Sequence, residues 1–116
     1  MNVRWRPQDA FHHFVDFNLV ARPAITCICL QTEVVGYALR YVESPTDREA
    51  VVHFAFDDDA AVRVNASEVF RGSHPQGFCS VQFRVRLLKG RNRILVRLTN
   101  HDNDNWRFWG FSFRIE

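Results

Sequence analysis

Residues 81–98 read VQFRVRLLKGRNRILVRL, and this stretch decides the fold class. Apolar side chains occupy every second position over 81–87 and again over 94–98. A period of two puts alternate side chains on opposite faces of a strand, so each segment is predicted to be a half-buried strand. The link at 89–92, with Gly90 able to take a positive φ, predicts a short hairpin loop between the two strands.

The same alternation recurs along the rest of the chain, and no segment keeps a 3.6-residue period over three turns. Turn-forming residues, such as those at 44–47, separate the apolar runs. The sequence therefore predicts one all-β domain over residues 1–116, an antiparallel two-sheet β-sandwich of about eight strands. Besides the two segments above, strands are predicted at 14–17, 24–31, 37–42, 49–56, 61–65, 68–70 and 111–115.

The composition is typical of a folded domain and indicates neither a nucleic-acid-binding nor a membrane-spanning protein. There are 15 basic and 13 acidic residues, and Lys89 is the only lysine among the basic ones. This balance does not indicate a nucleic-acid partner, and no apolar run approaches the ~20 residues of a membrane span. The outward arginines of the two quoted strands, Arg84 and Arg97, are predicted to lie on the solvent face of the sheet. The polar start is not typical of a signal peptide.

Three cysteines, Cys27, Cys29 and Cys79, give an odd count that argues against a full disulfide framework. Cys27 and Cys29 share a strand face and cannot easily pair with each other. Buried thiols are the simplest interpretation, since free cysteine packs as a small hydrophobe. A disulfide between Cys79 and one of the other two stays open if their strands are neighbours.

An acidic triplet, Asp57, Asp58 and Asp59, directly follows a predicted strand. Calcium takes six to eight oxygen ligands, so these carboxylates are candidate ligands for Ca²⁺. The alternative is a polar turn in which the side chains bond to nearby backbone amides. The spacing is not that of an EF-hand loop, so the calcium signal is weak.

A second polar loop precedes the last strand and is rich in amides, carboxylates and aromatic residues. Polar side chains of this kind bond to sugar hydroxyls, and an indole face stacks on the apolar face of a sugar ring. The alternative is a hydrophilic loop whose flanking tryptophans complete the core. Trp109 lies at alternate positions with Phe111 and Phe113, so on a strand the three side chains would share a face. Trp109 is therefore a better candidate for the core than Trp106. The candidate ligand-binding residues are His101, Asp102, Asn103, Asp104, Asn105, Trp106 and Arg107.

Catalytic signatures are weak in this chain, which predicts a protein that is not an enzyme. No serine lies in a Gly-x-Ser-x-Gly elbow, and the cysteines lie in apolar strands where thiols are inert. His53 is predicted on the opposite face of its strand from Val52 and Phe54, without further zinc ligands beside it. Asn65, Ala66 and Ser67 fit a glycosylation sequon, a match that is common by chance.

The order of several short motifs resembles the galactose-binding-domain-like jelly-roll modules attached to polysaccharide-degrading enzymes. The resemblance covers residues 37–116. Two motifs depart from the family pattern, since Asp59 replaces a glycine and Arg63 replaces a tryptophan. The motifs that carry it are Ser44-Pro45-Thr46-Asp47, Asp57-Asp58, the segment 62–65 ending in Asn65, Lys89-Gly90-Arg91-Asn92 and Trp109-Gly110-Phe111.

The resemblance implies an eight-stranded jelly roll that binds a polysaccharide or oligosaccharide through loops at one end, in some members with a structural Ca²⁺. It also implies an extracellular or cell-surface location, as an excised module, and a neighbouring catalytic domain as partner. Three functions compete at this point. They are a non-catalytic carbohydrate-binding accessory module, a structural or protein-interaction domain that packs on a partner or self-assembles, and an anionic-polymer binder that uses the arginine-rich strand face.

Overall fold

The computed structural model describes residues 14–16, 34–73, 79–100 and 110–116. Among them, no helix is long and apolar enough to cross a membrane. The predicted strand at 24–31, with its two cysteines, lies outside the described residues. The described residues form eight strands, which are β1 (Phe14–Asp16), β2 (Val34–Ser44), β3 (Arg48–Asp57), β4 (Asp59–Val64), β5 (Ser67–Ser73), β6 (Cys79–Leu87), β7 (Gly90–Asn100) and β8 (Gly110–Ile115).

These strands form two four-stranded antiparallel sheets. The first sheet has the order β1-β8-β3-β6, and the second has the order β2-β7-β4-β5. Each strand is followed in sequence by a strand of the other sheet, except that β5 follows β4 within the second sheet. This winding between two layers is the eight-stranded jelly roll, and it confirms the predicted all-β sandwich.

The core lies between the sheets and contains a cluster of phenylalanine rings. Phe70 of β5 stacks on Phe83 of β6, with 5.2 Å between ring centroids, and meets Phe54 of β3 edge-on at 5.7 Å. Aromatic pairs at such distances stabilise a core beyond the area that they bury. Cys79 is a free thiol packed against this core. The buried apolar residues are Ala50, Val52, Phe54, Phe56, Ala60, Val62, Val64, Val85, Leu87, Ile94, Val96, Leu98 and Phe111.

The link at 89–92 turns the chain as predicted, but it does not make a hairpin. Gly90 has a φ of 98°, the left-handed conformation that glycine tolerates. Within the described strands, β6 pairs with β3, whereas β7 pairs with β2 and β4. The link therefore carries the chain from one sheet to the other, and Arg84 and Arg97 lie on opposite outer faces. A turn signal specifies a reversal of direction, but it does not specify the sheet that the next strand joins.

The Asn92 side chain stabilises the β6–β7 link through hydrogen bonds. Its side chain is fully buried, and its Oδ1 accepts hydrogen bonds from the Leu88 backbone N–H (2.9 Å) and from Asn65 Nδ2 (3.1 Å). Its Nδ2 donates to the carbonyl oxygens of Leu88 (2.8 Å), Gly90 (3.2 Å) and Val42 (3.3 Å). A single amide thus ties the β6–β7 link to β2 and to the β4–β5 turn. We call the end of the sandwich that carries these tight links the turn end.

Candidate functional site

The opposite end of the sandwich collects the long connections, and we call it the loop end. Its described part is the crossover from β3 to β4, formed by Asp57, Asp58 and Asp59. Asp57 is the register partner of Gly110, and Asp59 is the partner of Thr99. The two strand ends that flank 101–109 therefore lie beside the acidic crossover, one in each sheet.

The other two undescribed internal stretches start and finish at this same end. Asp16 pairs with Gly110, and Val34 pairs with Asn100, so both strand ends that flank 17–33 lie here. Likewise, Ser73 pairs with Asp59, and Cys79 pairs with Phe56, which brings both flanks of 74–78 to the loop end. Long loops on a rigid scaffold are where proteins commonly place binding residues.

The predicted ligand-binding residues, His101, Asp102, Asn103, Asp104, Asn105, Trp106 and Arg107, lie outside the described residues, as does Trp109. Their attachment points are known from the register of β7 and β8. The stretch is bounded by Asn100 and Gly110, and both positions are at the loop end. Sugar recognition by this loop stays a prediction from the sequence.

The acidic crossover is buried, unlike a solvated polar turn. Asp57 and Asp58, which are joined by a cis peptide bond, are 5% and 0% exposed. Burial, a hydrogen bond with Asp58 and the Asp58 charge together raise the pKa of Asp57 from 3.8 to about 8. Asp57 therefore keeps its proton at neutral pH and can donate it within the pair. Asp59 is half-buried, and its carboxylate accepts a hydrogen bond from the Ser73 hydroxyl.

This burial bears on the calcium prediction for Asp57, Asp58 and Asp59. In the part of the chain that the structure describes, no group of three or more His, Cys, Asp or Glu side chains is arranged to hold a metal ion. A Ca²⁺ ion needs several more oxygen ligands, and it would have to displace the proton that Asp57 carries. A calcium site at the loop end would thus need further oxygen ligands beside these carboxylates, and it stays a prediction.

A groove of about 540 Å³ runs over the outer face of the first sheet. One row across it consists of Gln82, His53 and Arg114, which are register partners on β6, β3 and β8. The next row toward the loop end has serine on either side of Ala55, so the floor is narrow and polar. The lining residues are His53, Phe54, Ala55, Ser80, Val81, Gln82, Ser112 and Arg114.

Glu116 lies at the side of this groove away from the loop end. Its Oε2 is 3.4 Å from His53 Nε2, and its Oε1 is 3.3 Å from Arg114 Nη2. The His53 Nε2 atom is shielded from solvent and makes no hydrogen bond of good geometry to a described residue. The groove thus presents hydrogen-bond donors and acceptors, with one carboxylate balancing the nearby arginine.

Sequence reasoning placed His53 correctly on the outward face of its strand but missed the groove. The alternation of β3 identifies the face, whereas Gln82 and Arg114 arrive from strands far along the chain. A signal was present, since both residues have the outward parity of their own strands. Only the strand order β8-β3-β6 brings Gln82 and Arg114 to either side of His53.

No protein-family model matches the sequence, and no curated protein matches it significantly. Solved structures do resemble the fold. The GH31 alpha-xylosidase from Xanthomonas citri matches 69% of this chain at 16% identity, with a TM-score of 0.52, and this chain spans 9% of that protein. A family 35 carbohydrate binding module from an environmental isolate matches 73% of this chain and 72% of its own, at 16% identity and a TM-score of 0.51. These likenesses confirm the predicted β-sandwich fold.

Proposed function

We propose that this chain is a non-catalytic carbohydrate-binding module that holds a glycan at the loop end of its sandwich. The observation that carries the proposal is the register of the strands that flank 17–33, 74–78 and 101–109. All three connections attach at the end where β3 crosses to β4. A rigid jelly roll whose connections gather at one end is suited to present side chains to a partner rather than to enclose a reaction.

Within that end, the loop from His101 to Arg107 carries the side chains suited to a sugar. Asn103, Asn105 and the two aspartates offer donors and acceptors for hydroxyl groups, and Trp106 offers a flat apolar surface for a ring face. The groove on the first sheet extends this surface. Its row through Ala55 is next to the row of Asp57 and Gly110, so a longer glycan could continue from the loop end along the sheet.

The similar structures suggest the setting in which such a module works. One of them is itself a carbohydrate binding module, and in the other the similar region is a small part of a glycoside-cleaving enzyme. We therefore infer a polysaccharide or oligosaccharide as ligand and a neighbouring catalytic domain as partner. An extracellular or cell-surface location follows from such a ligand.

The proposal is tested with a panel of plant, algal and host polysaccharides, with calcium and with a chelator. We expect binding to at least one glycan. The Trp106→Ala variant should abolish this binding while the melting temperature stays within about 2 °C of the wild-type value, because a surface platform adds little to stability.

Trp109→Ala is the matched control, since it removes the same side chain three positions away. Trp109 is predicted to belong to the core, so this change should lower the melting temperature by several degrees. Absence of binding to every glycan under both conditions would refute the proposal. A Trp106→Ala variant that binds like the wild type would instead show that Trp106 and its loop are not part of the binding site.

A further inference from the structure

The outer face of the second sheet carries exposed tyrosines beside several arginines. Val35, Tyr37 and Tyr41 of β2 are 44%, 43% and 45% exposed. In the register of β2 with β7, Tyr37 is the partner of Arg97, and Tyr41 is the partner of Arg93. We call this surface the Tyr–Arg face and define it by Val35, Tyr37, Tyr41, Arg63, Arg91, Arg93 and Arg97.

Some arginines outside the Tyr–Arg face form ion pairs with a carboxylate. On the first sheet, Arg84 lies 3.8 Å from Glu49, and Arg114 lies 3.3 Å from Glu116. On the second sheet, Glu68 is engaged by Arg71 at 2.8 Å, outside the face as defined.

Within the face, the guanidinium groups meet neutral partners. The Arg91 guanidinium stacks 3.7 Å above the Tyr41 ring, and Arg93 Nη2 donates to the Asn65 carbonyl oxygen at 3.2 Å. Among the described residues, no ion pair involves Arg63, Arg91, Arg93 or Arg97. Two carboxylates lie across from this surface, because Glu43 is the register partner of Arg91 and Glu68 is that of Arg63, whereas the register partners of Arg93 and Arg97 are uncharged. The face therefore keeps a net positive charge that is centred on Arg93 and Arg97 and is available to a ligand.

The geometry points to a linear anionic polysaccharide, bearing carboxylate or sulfate groups, as the ligand of the Tyr–Arg face. Arg91 and Arg97 are six residues apart on one strand, roughly 20 Å, so an extended polyanion can contact both whereas a small anion cannot. Guanidinium groups bind such oxyanions through paired hydrogen bonds, and the tyrosine rings offer flat surfaces to the sugar rings between them.

Charge also argues against a second copy of the chain as the occupant of this face. In a two-fold dimer the same patch meets itself, which would set the arginines of one copy against those of the other. The face shares no residue with the loop end, so this inference does not rest on the proposed function above.

The test measures binding of the whole chain to a sulfated dextran, to polygalacturonate, to neutral dextran and to duplex DNA. We expect one or both anionic polysaccharides to bind, with affinity that falls about tenfold or more between about 50 and about 300 mM NaCl. Neutral dextran should not bind through this face. The comparison of the two anionic chains identifies sulfate or carboxylate as the preferred group.

Two double variants separate the face from overall charge. Arg93→Gln with Arg97→Gln should weaken binding about tenfold or more, whereas Arg84→Gln with Arg86→Gln, on the opposite sheet, should change it less than about threefold. Tyr37→Ala should weaken binding without changing the salt dependence.

Several outcomes would overturn the inference. They are equal losses in the two double variants, tighter binding to DNA than to either anionic polysaccharide, and absence of binding to both. Concentration-dependent dimerisation that Tyr37→Ala abolishes would assign the face to a second copy of the chain. Melting temperatures of all variants near the wild-type value make each result interpretable, because the substituted side chains are exposed.

Discussion

At the scale of single residues, two buried polar side chains define the two ends of the sandwich. Asn92 at the turn end is satisfied by five hydrogen bonds, which is why an amide can be fully buried there. Asp57 at the loop end is buried beside another carboxyl group and keeps a proton. The first arrangement stabilises the fold at every pH, whereas the second depends on pH.

Replacing Asn92 is expected to destabilise the protein strongly. Asn92→Ala leaves the Leu88 N–H and its neighbouring carbonyls without their partner in a closed corner, at a cost of about 2–4 kcal/mol. Asn92→Asp keeps the size and the acceptor but cannot donate to Leu88, Gly90 and Val42, so we expect a comparable loss. Urea unfolding measures both. An Asn92→Asp variant as stable as the wild type would contradict the donor role.

Asp57 is expected to make stability fall as the pH rises. Its pKa is about 8 in the folded protein and near 3.8 without burial, so between these values the folded state holds the extra proton. The unfolding free energy should therefore drop by up to about 1.4 kcal/mol per pH unit between roughly pH 4 and 8. Asp57→Asn mimics the protonated form and should remove most of this slope, as measured by urea unfolding at several pH values.

Glu68→Gln is the matched control for that experiment, because it also removes one carboxyl group. Glu68 is exposed, and its hydrogen bond with Arg71 lowers its pKa below 4.5. It is ionised in both the folded and the unfolded state above about pH 5, so it adds no slope there. Parallel pH profiles for the wild type and Asp57→Asn would show that Asp57 is not protonated in the folded protein.

At the scale of elements, β5 depends on a residue without a side chain. A Cβ atom at Gly72 would lie 2.7 Å from Phe70 Cζ and 3.1 Å from Phe56 Cζ. Phe70 cannot move away freely, since its ring is stacked on Phe83 and contacts Phe54. The absence of a side chain at Gly72 therefore allows the phenylalanine rings of the core to pack directly against this edge strand.

Gly72→Ala is accordingly expected to cost about 1–3 kcal/mol of unfolding free energy through overpacking. Phe70→Leu makes room, so the same change should cost less in that background, and a double-mutant cycle measures the difference. Gly90→Ala is the control, because no atom lies within 4 Å of its Cβ position and its cost comes from the φ of 98°. Rescue of Gly90→Ala by Phe70→Leu would argue against the steric explanation.

At the scale of the whole molecule, period-two patterns predicted the strands because alternate burial in a sandwich requires apolar and polar residues to alternate along each strand. Val85, Ile94 and Phe111 point inward as their parity requires. Contacts between sheets have no such local signature. For this reason the link at 89–92 was predicted wrongly as a hairpin, and the burial of Asp57 was missed. The groove around His53 depends likewise on strands that are distant in sequence.

The resemblance motifs illustrate the same limit of local information. Lys89-Gly90-Arg91-Asn92 and the Asn65 that ends the segment 62–65 meet at the turn end, where Asn65 Nδ2 donates to Asn92. These two motifs form the tight links of the turn end. They lie away from the loop end, where the glycan site is proposed. Such motifs therefore identify a fold more securely than they identify a ligand.

The Asn92 corner has a further consequence for protein engineering. Because this amide joins two turns and strand β2 at one end, the connections at the other end can be diversified without touching it. A library that varies residues 101–107 on an otherwise constant sequence would keep the hydrogen bonds of the turn end. Antibody frameworks are likewise retained while their binding loops change. Selection from such a library could yield binders for targets unrelated to the natural ligand, with each clone inheriting the same asparagine-closed corner.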